Sequence, residues 1–346
     1  MNTDIFKIYP DSIDSEAIRS AASVIKAGGL VAFPTETVYG LGADATDKNA
    51  AKKIYAAKGR PSDNPLIIHV ASPEDARIYA EVSELYERLA RAFMPGPLTV
   101  IMPKKLIVPD EVTGGLDSVA VRCPSHPIAR ALISAAGVAI AAPSANISGS
   151  PSPTCAEHVI KDMQGRIETI IDGGECEIGL ESTIVKIIGE KLVMLRPGAI
   201  TADALRCVCD EVEIASAVTE SLGENERPLS PGMKYRHYAP TSPLVLLDGT
   251  REAVASFIAK AQASENCAIL CYSEEKALLK NENIIDIGGE HDLKAQAQRL
   301  FGALREADTF GCDIIYAHLP VQEDLGLALY NRLIRAAAHT VRKIDD

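Results

Sequence analysis

Two cations stand one residue apart in A-A-K-G-R-P-S-D-N-P-L-I-I-H-V, where Lys58 and Arg60 flank Gly59 and Pro61 and Pro65 stiffen the loop beside them. An arginine fork matches phosphate oxygens and a lysine adds a point charge. With Asn64 as a further amide donor, this segment could hold a polyanion. The competing reading is a solvated helix end, where cations suit the negative pole of the helix dipole. A second candidate, A-P-S-A-N-I-S-G, follows the apolar run V-A-I-A-A. It puts Ser144 and Asn146 at a strand's C-terminal end, where open α/β sheets hold ligands. A turn whose side chains bond their own backbone explains the same residues. In P-T-E-T-V-Y-G-L-G, Thr35, Glu36, Thr37 and Tyr39 form a polar cluster on a glycine-punctuated loop, or a mere connector.

Four further residues stand out. His69 sits inside an apolar strand, the usual setting of a satisfied core histidine. Arg122 ends S-V-A-V-R-C-P, where a strand meets a proline. Buried there, it needs a carboxylate, either the protein's own or a ligand's. Ser182 in G-L-E-S-T-I-V reads as a strand residue and Arg196 in L-R-P-G-A-I as an exposed one. No Ser-His-Asp or Cys-His arrangement can be defended, and no G-x-x-x-x-G-K-[ST] loop occurs. What remains is a cleft of strand ends, rich in anion-binding groups and poor in nucleophiles. That profile suits a phosphate-bearing ligand more than a hydrolase.

The elements that must position these groups alternate from the start. Asp14 or Ser15 caps a helix through Lys26, and L-V-A-F then reads as a buried strand. Thr46 or Asp47 opens a second helix ending at Gly59, placed for a left-handed cap. L-I-I-H-V, L-T-V-I-M, S-V-A-V-R, V-A-I-A-A and T-I-I-D read as strands, with helices starting at Ser72-Pro73 and Ser83 between them. S-T-I-V-K-I-I and K-L-V-M-L form a hairpin across Gly189-Glu190. Pro228, Pro231 and Gly232 break the stretch that follows, which reads as a linker. From Ser242 the rhythm is strand and helix in turn, with a short helix after C-A-I-L-C-Y, which implies a parallel sheet. The expected fold class is α/β, with a mixed sheet first and a smaller doubly wound domain last.

The totals agree with two domains. The chain has 346 residues, 47% of them hydrophobic and 24% charged, an ordinary globular composition. A net charge of −12 argues against a broad nucleic-acid-coating face, though not against a local anion site. The eight cysteines show neither C-x-x-C nor zinc spacing. No apolar run approaches the roughly 20 residues of a membrane span, and the N-terminus lacks a secretory signal's order. The expectation is a reduced, cytoplasmic protein without structural metal.

Taken with P-G-P-L-T-V-I and S-P-G-M-K-Y-R-H-Y-A-P, these segments closely resemble the threonylcarbamoyl-AMP synthase family in its long form. The resemblance implies a YrdC-like twisted mixed sheet with helices over 1–212 and a linker and active-site lid over 213–241. A Rossmann-like accessory domain would follow over 242–346. It implies condensation of L-threonine, bicarbonate and ATP, with Mg2+, into threonylcarbamoyl-AMP and pyrophosphate. The product would pass to a tRNA threonylcarbamoyl transferase complex, which modifies the adenosine 3′ of the anticodon. This chain would need no tRNA contact for its own step. Carried over by motif, Lys58 and Arg60 are catalytic, and Arg60, Asn64, Ser118, Ser144, Asn146, Arg196 and Ser230 surround ATP. Thr37, His69, Arg122 and Ser182 match the threonine site, and Tyr235, Arg236 and His237 the lid. Two alternatives stand beside this: an RNA-binding module of the same fold, and a transferase using carbamoyl phosphate.

Overall fold

The computed structural model describes residues 1–220, 237–279 and 282–344. Ser230, Tyr235 and Arg236 lie outside the described residues. The chain divides into two compact units, one built mainly from Met1–Lys234 and the other mainly from Tyr235–Asp346, which also takes in Gly149–Pro151 and Ile178–Leu180.

The first unit is a mixed sheet of eleven strands. They are β1 (Asp4–Lys7), β2 (Val31–Phe33), β3 (Gly40–Asp44), β4 (Ile67–His69), β5 (Leu98–Pro103) and β6 (Ser118–Arg122), then β7 (Ile140–Ala141), β8 (Thr169–Asp172), β9 (Thr183–Ile188), β10 (Lys191–Arg196) and β11 (Val212–Ile214). Their spatial order is β1-β8-β2-β3-β7-β4-β6-β5-β9-β10-β11. Both faces are covered, which is why L-V-A-F reads as a continuous apolar run. Val31 and Phe33 join a core with helices Ser15–Lys26 and Pro127–Ala136, while Leu30 and Ala32 join the core on the other side.

The expected helix starts hold. Asp14 caps the helix Ser15–Lys26 by accepting from the amides of Glu16 and Ala17. Asp47 caps Lys48–Lys58, and Gly59 ends that helix at φ 62°. The hairpin β9–β10 turns at Gly189, φ 60°. Strands β1, β3 and β11 were not expected, nor was the strand Val341–Lys343 at the end of the chain. In β3 the reason is visible: its glycines read as a loop, but they are needed for packing. A Cβ on Gly42 would lie 2.6 Å from Ile140 Cγ2 and 2.8 Å from Phe33 Cε1.

The second unit is an all-parallel sheet of β12 (Leu244–Asp248), β13 (Cys267–Cys271), β14 (Ile284–Asp286), β15 (Ile314–His318) and β16 (Val341–Lys343). The order is β14-β13-β15-β12-β16, a doubly wound arrangement. The short helix expected after β13 is a run of turns over 273–278 instead. There the Glu275 carboxylate accepts from the Tyr272 amide at 2.9 Å and meets His318 Nε2 at 2.9 Å.

Candidate functional site

Strand register gathers the polar residues at two ends of the same strands. β4 and β6 are parallel with His69 opposite Arg122, and β5 runs antiparallel with Thr99 opposite Arg122. β9 begins beside Leu98, which leaves Ser182 Oγ 2.7 Å from Thr99 Oγ1. Arg196, at the end of β10, donates from Nε to the Ser182 carbonyl at 3.0 Å and from its NH2 group to Ser182 Oγ at 3.1 Å. Neither Ser182 nor Arg196 is exposed: they retain 1% and 5% of their surface. Arg196, expected at the nucleotide, therefore bonds a residue expected at the amino acid.

The close approach of β9 and the chain after β10 requires Gly198. A Cβ there would sit 2.6 Å from the Thr183 amide nitrogen and 2.8 Å from the Glu181 carbonyl oxygen. Both are backbone atoms that cannot swing away. Gly198→Ala is therefore expected to displace Arg196 from Ser182 and to lower stability by about 1–3 kcal/mol, read from urea unfolding followed by circular dichroism.

At the opposite end of β6 stands Ser118, about 13 Å from Arg122 at the usual strand rise. The chain leaving β7 runs antiparallel to β4 and so returns to this end, bringing Ser144 and Asn146 with it. Lys58 meets them there. Its Nζ donates to the Ser144 and Asn146 carbonyls, each at 2.5 Å, and lies 3.3 Å from Asn146 Oδ1. Ser144 Oγ donates to Asn146 Oδ1 at 2.5 Å. Lys58 keeps only 2% of its surface, so the solvated-helix-end reading fails for it. Arg60 donates to the Pro65 carbonyl at 3.0 Å and the Asn64 carbonyl at 3.3 Å. The Asn64 side-chain oxygen is buried without a hydrogen-bond partner among the described residues.

Arg122 finds its carboxylate within the protein. Its guanidinium lies 2.8 Å from Glu36 Oε1, and both side chains are about 5% exposed or less. The hairpin loop between β2 and β3 carries Glu36 there. Thr35 shapes that loop, its hydroxyl donating to the Val38 carbonyl at 2.7 Å and lying 2.8 Å from Thr37 Oγ1. Tyr39 anchors its far side by donating to the Gly174 carbonyl at 2.6 Å and accepting from the Gly173 amide at 3.1 Å. Glu36 and Thr99 received no role from the sequence. The available signal was a carboxylate directly after a fully buried strand, a position where an acid must have a partner.

His69 is buried beside Arg122, and its pKa falls to about 3, first through burial and then through the arginine's charge. The ring is neutral at pH 7. In the unfolded chain it protonates near its ordinary value, so the unfolded state binds the extra proton below about pH 6.5. Stability is complete above that pH and is lost as pH falls toward 3. Between about pH 6.5 and 5, His69→Asn is expected to flatten the stability slope by up to about 1.4 kcal/mol per unit, measured by urea unfolding across pH.

His237, the lid candidate among the described residues, belongs to the second unit. Its ring lies 5.6 Å from Tyr238, which in turn packs against Phe301. Among the described residues no cluster of His, Cys, Asp and Glu is placed to hold a metal ion. Nor is any helix among them long and apolar enough to cross a membrane.

Comparison with known proteins covers nearly the whole length. The family model described as "Telomere recombination" matches residues 23–198, and that of the threonylcarbamoyl-AMP synthase C-terminal domain matches 200–338. Threonylcarbamoyl-AMP synthase of Pyrococcus abyssi is 45% identical over 96% of this chain and 98% of its own. That of Bacillus subtilis is 43% identical over 95% of each. The crystal structure of P. abyssi Sua5 complexed with L-threonine superposes with a TM-score of 0.92 at 44% identity, covering 99% of this chain and 100% of that one. Matched in motif order, in both units and over nearly every residue, the chain belongs to the threonylcarbamoyl-AMP synthase family.

Proposed function

We propose that this chain condenses L-threonine, bicarbonate and Mg2+-bound ATP into threonylcarbamoyl-AMP and pyrophosphate. The observation that supports the reading is the gathering of two clusters of polar residues at the two ends of β6. Ser118, Lys58, Arg60, Asn64, Ser144 and Asn146 gather at one end, and His69, Arg122, Thr99 and Ser182 at the other. A triphosphate at the first end and an amino acid at the second would meet between them.

The residues suggest how each group contributes. Lys58 holds the Ser144–Asn146 loop in one geometry, so its backbone and side chains present a fixed set of groups to the nucleotide. Arg60 offers a fork to phosphate oxygens. The attacking group is a carboxylate oxygen of N-carboxy-threonine, and it strikes the α-phosphorus as pyrophosphate leaves. Two anions approach only where fixed cations and amides offset their repulsion, which is electrostatic stabilisation plus positioning. No protein nucleophile is needed. His69 is neutral and adds no charge beside Arg122, which keeps that guanidinium as the local cation for a carboxylate.

The product is an acyl-adenylate, to be consumed by a transferase complex acting on tRNA in the cytoplasm. The RNA-binding alternative draws no support from a net charge of −12. The test is pyrophosphate release with mass analysis of the product from labelled bicarbonate. Release that requires both threonine and bicarbonate, with label in the nucleotide product, is the expected result. Release with carbamoyl phosphate in place of both would transfer the assignment to the other chemistry.

A further inference from the structure

The Arg122–Glu36 pair is close but incomplete. Although the guanidinium lies 2.8 Å from Glu36 Oε1, the two are misaligned for a hydrogen bond. Both carboxylate oxygens of Glu36, and Nε and an NH2 nitrogen of Arg122, are buried without a hydrogen-bond partner among the described residues. Glu36 retains 4% of its surface. Buried carboxylates ordinarily accept several hydrogen bonds, because losing water without replacement is costly. A buried, opposed pair with its bonds unmade is the complement of one ligand class: a zwitterion, whose carboxylate and ammonium are held a few ångströms apart.

We propose that Glu36 receives the α-ammonium group of the amino acid substrate while Arg122 takes its carboxylate, and that Glu36 then accepts the ammonium proton. The inference rests on the proposed reaction and adds a residue to it. With water excluded, an ammonium–carboxylate pair shifts toward neutral amine and neutral acid, since neither charge is hydrated. The freed amine forms a C–N bond to the bicarbonate carbon. The C–OH bond breaks, and the hydroxide leaves as water with a second amine proton. The product is the carbamate, and the first proton passes from Glu36 to solvent.

The other titratable groups around Glu36 stay silent near neutral pH. His126, which caps the helix after β6, is lowered by burial, against the field of Glu36. Cys123 is raised to about 11 and Cys176 is raised as well, both chiefly by burial. His69, facing Arg122, is neutral. A change of rate with pH between about 7 and 9 therefore reports the amine.

The experiment is calorimetric titration of the full-length protein with L-threonine and with the hydroxy acid that carries a hydroxyl in place of its ammonium. Wild type is expected to prefer the amino acid by about 100-fold, and Glu36→Gln to reduce that preference to a few-fold. ATP affinity should stay within about twofold in the variant, showing an intact nucleotide end. In pyrophosphate release, the Gln variant should gain up to about tenfold per pH unit as free amine accumulates, while wild type stays flatter. An unchanged preference in the variant overturns the proposal, as does a wild type with no preference, which needs no variant to fold. Parallel pH profiles overturn the proton-accepting step. A wild type that shows the preference but releases no pyrophosphate sinks the reaction and leaves Glu36 standing as an ammonium receptor.

Discussion

Lys58→Met is expected to reduce pyrophosphate release by about 10³-fold and to destabilise the protein by roughly 3 kcal/mol. The methionine is close in size, so the effect isolates the ammonium. Without it the Ser144 and Asn146 carbonyls lose their 2.5 Å donor inside the fold, and each unsatisfied acceptor costs about 1–3 kcal/mol. The loop would relax to regain water, moving Ser144 and Asn146 from where a nucleotide needs them. Displacements near 1 Å at a positioning group cost about 10²-fold, and the weakened hold on phosphate adds to that. Urea unfolding and the pyrophosphate assay check both halves. A variant as stable as wild type and within tenfold of its rate would show that Lys58 is a bystander.

Arg122→Met should lower threonine affinity by about 10²- to 10³-fold and cost about 3–5 kcal/mol of stability, because it strands the Glu36 carboxylate. These two effects have different origins and separate in the double variant. Glu36→Gln with Arg122→Met removes both charges together, so much of the lost stability should return. Threonine binding should not, since no cation remains for its carboxylate. ATP binding should change by no more than about threefold in either variant, as Ser118, at the proposed nucleotide end, lies about 13 Å along β6. Unfolding midpoints and calorimetry decide it. A double variant no more stable than Arg122→Met would mean that the ion pair is not the reason for the loss.

Much of the architecture was legible in the residues. Helix caps at Asp14, Asp47 and Ser83, the left-handed Gly59 and the Gly189 hairpin are local chemistry, and each appears as expected. The alternation from Ser242 holds apart from the turns over 273–278 and the added strand β16. The glycine-rich β3 was not legible, because Gly42 is chosen for space beside Phe33 and Ile140, and those neighbours lie in other strands. The site was partly legible in the same way. Residue types flagged Lys58, Arg60, Ser144 and Asn146 as anion-binding candidates. They left Lys58 between a solvated helix end and an anion site, and they left open which carboxylate meets Arg122.

What the chain alone determined is the inventory: where most helices start and stop, which apolar segments are strands, and which side chains could hold an anion. The tertiary structure decided who meets whom. Lys58 bonds the Ser144 carbonyl across 86 positions and Thr99 meets Ser182 across 83, while Glu36 reaches Arg122 from a separate hairpin. Such pairings depend on strand order and register, to which backbone geometry near each residue is indifferent. Burial then sets their meaning, because a charge that is inexpensive in water must find a partner once the sheet and its helices have closed over it.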